Sequence, residues 1–188
     1  MVRILGIDPG SVRTGYGCIN SEGNQITHVC HGTLKLAMGA GAESFGTVPY
    51  AGRLASLFHG LSDVIKEFKP HILSVEKVFF AKNAVSALKL GQARGVVIVV
   101  GSIHGLEVVE YSATEVKLAV VGHGRADKEQ VARMVQVVLG KKTFDSFDAS
   151  DALALAICHA QFSRRGSKAA SSGSRKRNIS MAKALGLE

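Results

Sequence analysis

The segment RILGIDPGSVRTGYGCINSEGNQITHVCHGTLKL, residues 3–36, decides the fold. Its first apolar run, 3–7, stops at Asp8-Pro9-Gly10, a proline–glycine turn signal. A second run, 14–20, stops at Ser21-Glu22-Gly23-Asn24, and a third covers 25–36. Short apolar runs separated by tight turns predict an antiparallel meander of three strands.

Outward from this segment the pattern changes period. After a glycine-rich stretch (MGAGAESFG, 38–46), Pro49 suits a first helical turn. Tyr50, Leu54, Leu57, Phe58, Leu61, Ile65 and Phe68 then recur at helical spacing until Pro70. Residues 72–78 (ILSVEKV) read as a strand, 84–104 as a mostly apolar helix and 106–111 (LEVVEY) as another strand. Helical patterns follow at 113–121, at 127–139 with Gly140 as its stop, and at 147–162. Three leading strands followed by strand–helix alternation imply an α/β mixed sheet with helices on its faces. The apolar content of 84–104 suits either an internal helix or a subunit contact, and periodicity does not choose between them.

The chain has 188 residues, 46% of them hydrophobic, enough for one domain with a core of Val, Leu, Ile and Ala. That apolar content excludes a disordered chain. Three cysteines make no disulfide framework. No run reads as a membrane span of about 20 apolar residues, and the N-terminus opens on a strand instead of a signal peptide. A cytoplasmic protein with free thiols and no membrane partner is expected.

The net charge of +8 favours a polyanionic partner. Seven basic residues (Arg164, Arg165, Lys168, Arg175, Lys176, Arg177, Lys183) and one acid (Glu188) fall in 163–188, a segment rich in Ser, Ala and Gly. The expected organisation is a folded domain over 1–162 and a basic, disordered tail over 163–188. The tail serves as a solubilising appendage, a phosphate-binding arm, or both.

Four acids are the candidates for chemistry. Asp8 closes the first strand, and Glu76 sits between apolar neighbours in a second, where an unpaired carboxylate costs several kcal/mol, on the order of a buried ion. Asp148 and Asp151, in FDASDALALA, are three apart and share one side of a helix's first turn, where they also suit capping. If the first strand and 72–78 are neighbours and the last helix crosses their end, the four carboxylates converge without a basic partner and need cations. Hard oxygen donors favour Mg²⁺ or Mn²⁺, and paired ions are the recurring device for phosphodiester hydrolysis. Outside these acids residues 1–162 hold 16 basic and 10 acidic side chains, as a nucleic-acid surface should. His28, Cys30 and His31 resemble metal ligands, but strand alternation divides them between two faces and no fourth ligand is evident.

GIDPGS with TGYG (6–11, 14–17), EKVFFAKNAVSALKLGQARG (76–95), VKLAVVGHGRADKEQV (116–131) and DASDALALA (148–156), in this order, resemble the RuvC family of bacterial Holliday junction endonucleases. The resemblance spans essentially 1–162. It implies a ribonuclease H-like fold, a homodimer, cooperation with the RuvA–RuvB branch-migration complex, and Mg²⁺-dependent paired incisions across a four-way DNA junction, with two Mg²⁺ per active site and Mn²⁺ able to substitute. The family's acidic positions match Asp8, Glu76, Asp148 and Asp151. Phe79 matches an aromatic that stacks on bases at the crossover, and Lys117 and Lys128 match lysines near the DNA. Three other readings compete. A two-domain ATPase or sugar kinase of related fold needs a longer chain. A catalytically silent junction-binding scaffold would lack an acid. Another ribonuclease H-like nuclease, acting on RNA or a different DNA structure, is separated least well.

Overall fold

The computed structural model describes residues 1–36, 50–77, 84–141, 143–144 and 146–164. The turn at Gly23, whose backbone is left-handed, folds β2 (Arg13–Glu22) onto β3 (Gln25–Lys35), and β1 (Val2–Asp8) pairs antiparallel with β2, so the predicted meander is present. β4 (Ile72–Glu76) pairs parallel with β1, and β5 (Glu107–Tyr111) parallel with β4. The sheet order is β3-β2-β1-β4-β5.

Period-two alternation sorts each strand's side chains between two cores. Leu5, Ile7, Cys18, Leu73 and Val75 face α1 (Ala51–Phe68) and α2 (Ala84–Ile103). Ile4 and Ile19 face α3 (Ala113–Val121), α4 (Lys128–Leu139) and a last helix, α5 (147–164). The helices begin and end where local chemistry directs. Ser112 with Glu115 and Asp127 with Gln130 form capping boxes, Gly122 and Gly140 close their helices in left-handed backbone, and Lys69 does the same for α1 just before Pro70. Pro49 and the glycine-rich stretch lie outside the described residues. α5 runs to residue 164, two beyond the expected end, and Arg164 donates to the Ser21 hydroxyl and the Gln25 carbonyl.

Two sequence expectations are corrected. α2 is long and apolar enough to cross a membrane by length and composition, although Lys89, Gln92 and Arg94 interrupt the run to the eye. Here it lies on the sheet, burying Ala93, Val97, Val100 and Gly101, while Arg94 pairs with Glu110 of β5. In β3 the pairing passes from Cys18↔Cys30 to Ile19↔His28, leaving Val29 as a bulge. The extra residue resets the alternation. His28 and His31 therefore share a face, 2.7 Å apart, and Cys30 points with Cys18 into the opposite core.

Candidate active site

Asp8 and Glu76 are brought together by strand register. Parallel pairing of Ile7 with Val75 places the next residues, Asp8 and Glu76, side by side at the carboxyl ends of the neighbouring strands β1 and β4. Both share the parity of Ile4 and Ile72, the residues facing α5. Carboxyl ends of parallel strands are where such sheets present functional groups.

α5 reaches this corner because the sheet beneath it is bare. A Cβ at Gly6 would penetrate the Ala152 carbonyl, one at Gly15 the Asp148 carbonyl, and one at Gly17 would lie 2.6 Å from Leu153 Cγ. The three glycines on β1 and β2 let the helix backbone rest on sheet backbone. Ser74 of β4 ties the helix down, donating its buried hydroxyl to the Leu155 carbonyl at 2.9 Å. At the helix start Ser146, not an aspartate, supplies the cap: its hydroxyl accepts from the Ala149 amide at 3.2 Å and meets the Thr33 hydroxyl at 2.9 Å. Asp148 and Asp151 are thereby released from the capping role their position suggests.

A cleft of about 250 Å³ results, lined by Asp8, Glu76, Lys117, Lys128 and Asp151, with Val116, Val131 and Leu155 among its apolar walls. Asp148 stands outside that lining, yet its charge reaches both Asp8 and Asp151. The expectation of acids without a basic partner is corrected: Lys128 Nζ lies 2.8 Å from Asp151 Oδ2. Lys128 is the first residue of α4, which the Asp127 cap aims at the cleft. The acids come less close than the sequence led one to expect: among the described residues no three His, Cys, Asp or Glu side chains close on one point, because carboxylates repel one another and Asp151 is held by Lys128.

The electrostatics follow from this crowding. Burial, then the charges of Asp151, Glu76 and Asp148, push the Asp8 carboxyl up to about 7, with Lys128 opposing. Burial and Asp151 raise Glu76 against the pull of Lys128 and Lys117. Burial also raises Asp151, with Lys128 opposing, and the hydrogen bond to Asp151 raises Lys128 in turn. A half-buried, oxygen-only donor set with excess negative charge is chemically suited to a hard divalent cation.

Lys117 and Lys128 thus share one cleft with three of the acids. Phe79 lies outside the described residues, as does the tail beyond 164. Sequence reading passed over Phe147, the first residue of α5, which is 56% exposed and carries the Lys128 ammonium 5.6 Å above its ring. The available signal was a large aromatic standing directly before the acidic pair.

Sheet order, helix placement and acid-lined cleft define a protein of the ribonuclease H-like class. The family model described as crossover junction endodeoxyribonuclease RuvC matches residues 4–159, and the chain belongs to the RuvC family. It is 48% identical over 162 residues to the crossover junction endodeoxyribonuclease RuvC of Geotalea uraniireducens, covering 86% of this chain and 90% of that one. The protein so named from Marinobacter nauticus is 46% identical over 178 residues, 95% of this chain and 97% of that one. The structure of T. thermophilus RuvC in complex with Holliday junction substrate superposes with a TM-score of 0.78 at 32% identity, covering 88% of this chain and 97% of that one.

Proposed function

We propose that this chain resolves four-way DNA junctions by paired symmetric incisions, in recombination and repair. The observation that carries the reading is the pairing of Asp8 with Glu76 at adjacent strand ends, facing Asp151 across a cleft that also holds Lys117 and Lys128, in a member of a family of junction endodeoxyribonucleases.

Asp8, Glu76, Asp148 and Asp151 are the residues that would hold divalent cations. Two Mg²⁺, or Mn²⁺ in their place, supply activation of the attacking water and stabilisation of the leaving 3′ oxygen when bound. The chain's own contribution is placement. The glycine cradle and the Ser146 cap hold the two aspartates over Asp8, and the apolar walls limit water in the cleft. Lys117 and Lys128 set positive charge where a phosphate would lie. Phe79, three residues after Glu76, would stack on a base at the opened crossover, and Phe79→Ala should then impair resolution more than binding in parallel cleavage and gel-shift assays.

A homodimer sets two sites against the two-fold symmetry of a junction. Support for it lies on α2, whose outer face exposes Val85, Leu88 (69% exposed), Val99 and Ile103, with open space above Gly91 and Gly95. Such an apolar stripe on a basic protein suits contact with a second copy. Cooperation with RuvA–RuvB and a cytoplasmic location complete the reading. Incubation with a synthetic four-way junction and a matched linear duplex, with and without Mg²⁺, tests it. Mg²⁺-dependent cutting of the junction alone is the expected result, and equal cutting of both substrates defeats it.

A further inference from the structure

A second groove, of about 300 Å³, opens between α4 and the start of α5, lined in part by Gln136, Thr143, Phe144, Ser146, Phe147 and Ser150. Its size is at the lower end of ligand sites, which begin at about 300 Å³. The walls are held in place. Phe144 packs edge-on against His31, with ring centroids 5.3 Å apart, and Ser146 is engaged by Thr33 and the Ala149 amide. Phe147 is shared with the acid cleft, because its ring carries the Lys128 ammonium that pairs with Asp151.

Two polar groups of this groove have no partner among the described residues. Ser150 is 2% exposed, and its hydroxyl makes no hydrogen bond there. The Gln136 side-chain amide makes none either, although its backbone carbonyl accepts from the Gly140 and Lys141 amides. Two phenyl rings, an amide with donor and acceptor, and hydroxyls suit a flat heterocycle with a polar edge. Aromatic faces stack on any base, and a side-chain amide discriminates between base edges.

We infer that this groove receives one nucleobase of the DNA next to the cleaved phosphate, with Phe147 stacking on it and Gln136 reading its edge, and so sets part of the cleavage-sequence preference. The inference rests on the junction-cutting reading above.

The test uses the full chain and a panel of four-way junctions that differ only in the base pairs flanking the crossover, cleaved in competition with Mg²⁺. Wild-type protein is expected to favour some sequences by about tenfold, the scale of one amide–base pair, and Gln136→Ala to flatten that preference. Phe147→Trp should keep the profile and Phe147→Ala should lose it. A 2-aminopurine placed beside the crossover gives a readout independent of cutting. Its fluorescence should be quenched on binding to wild-type protein and less so with Phe147→Ala, at matched occupancy by anisotropy. Identical profiles for wild type and Gln136→Ala, a wild type with no preference, or unchanged quenching with Phe147→Ala would each overturn the inference. Failure of the wild type to cut any junction instead defeats the function reading, and this inference falls with it.

Discussion

Gly6 of β1 lies directly beneath the Ala152 carbonyl of α5, so close that a methyl group on Gly6 would overlap that oxygen and stand 2.8 Å from the Ala156 amide nitrogen. The height of the helix bearing Asp148 and Asp151 above Asp8 and Glu76 is therefore set by the lack of a side chain on the sheet. Gly6→Ala or Gly15→Ala should raise the helix start. Overpacking of this kind costs about 1–3 kcal/mol, and more where backbone is struck. Urea unfolding should report that loss, and junction cleavage should fall further than the stability change explains. Wild-type cutting by a Gly6→Ala protein would show that the helix height is immaterial.

Removing single acids separates chemistry from attachment. Asp8→Asn, Glu76→Gln, Asp148→Asn and Asp151→Asn should each abolish or severely reduce cleavage while junction binding, carried by the DNA phosphates, survives. Parallel cleavage and gel-shift assays check this. A variant that cuts at the wild-type rate removes its acid from the site.

The raised Asp8 carboxyl has a signed consequence for stability. Its folded value of about 7 exceeds the ordinary 3.8, so between these values the native state holds a proton that the unfolded state has released. Stability of the cation-free protein should then fall as pH rises through that window. Raised Glu76 and Asp151 act in the same direction. Divalent cations need the ionised acids, so Mg²⁺ should raise Tm more at pH 8 than at pH 5. Melting curves across pH, with and without Mg²⁺, decide it; an equal Mg²⁺ effect at both pH values would contradict the assignment. Asp8→Asn, which removes the uncompensated charge, should raise the cation-free Tm at pH 8.

A chain ending at Arg164 keeps α5 whole and removes six basic residues. It should fold and cut, because all four acids remain. Its DNA affinity should be lower and less salt-sensitive. The log–log slope should change by about 0.9 for each phosphate that the tail neutralises, and roughly two to four such phosphates are expected. Binding titrations over a salt series measure this. Identical slopes would leave the tail a solubilising appendage.

The element order, the meander and both capped helices were legible because turns, caps and periodicity are local properties of the chain. So was the face shared by Asp8 and Glu76, once β1 and β4 are neighbours. The division of His28 from His31 was misread for a local reason of another kind: a bulge at Val29 adds one residue to the count, and alternation carries no mark of it.

By itself, then, the sequence determined which residue types stand at which strand ends and helix starts, and from them the fold class and the four candidate acids. Only the tertiary structure decided that Lys128 pairs with Asp151, that Ser146 relieves the aspartates of capping through Thr33 of a distant strand, and that glycines on two strands seat the last helix. These depend on distances between segments far apart in the chain. Side-chain periodicity fixes a direction from the backbone, but only packing fixes what lies in that direction and how near it comes.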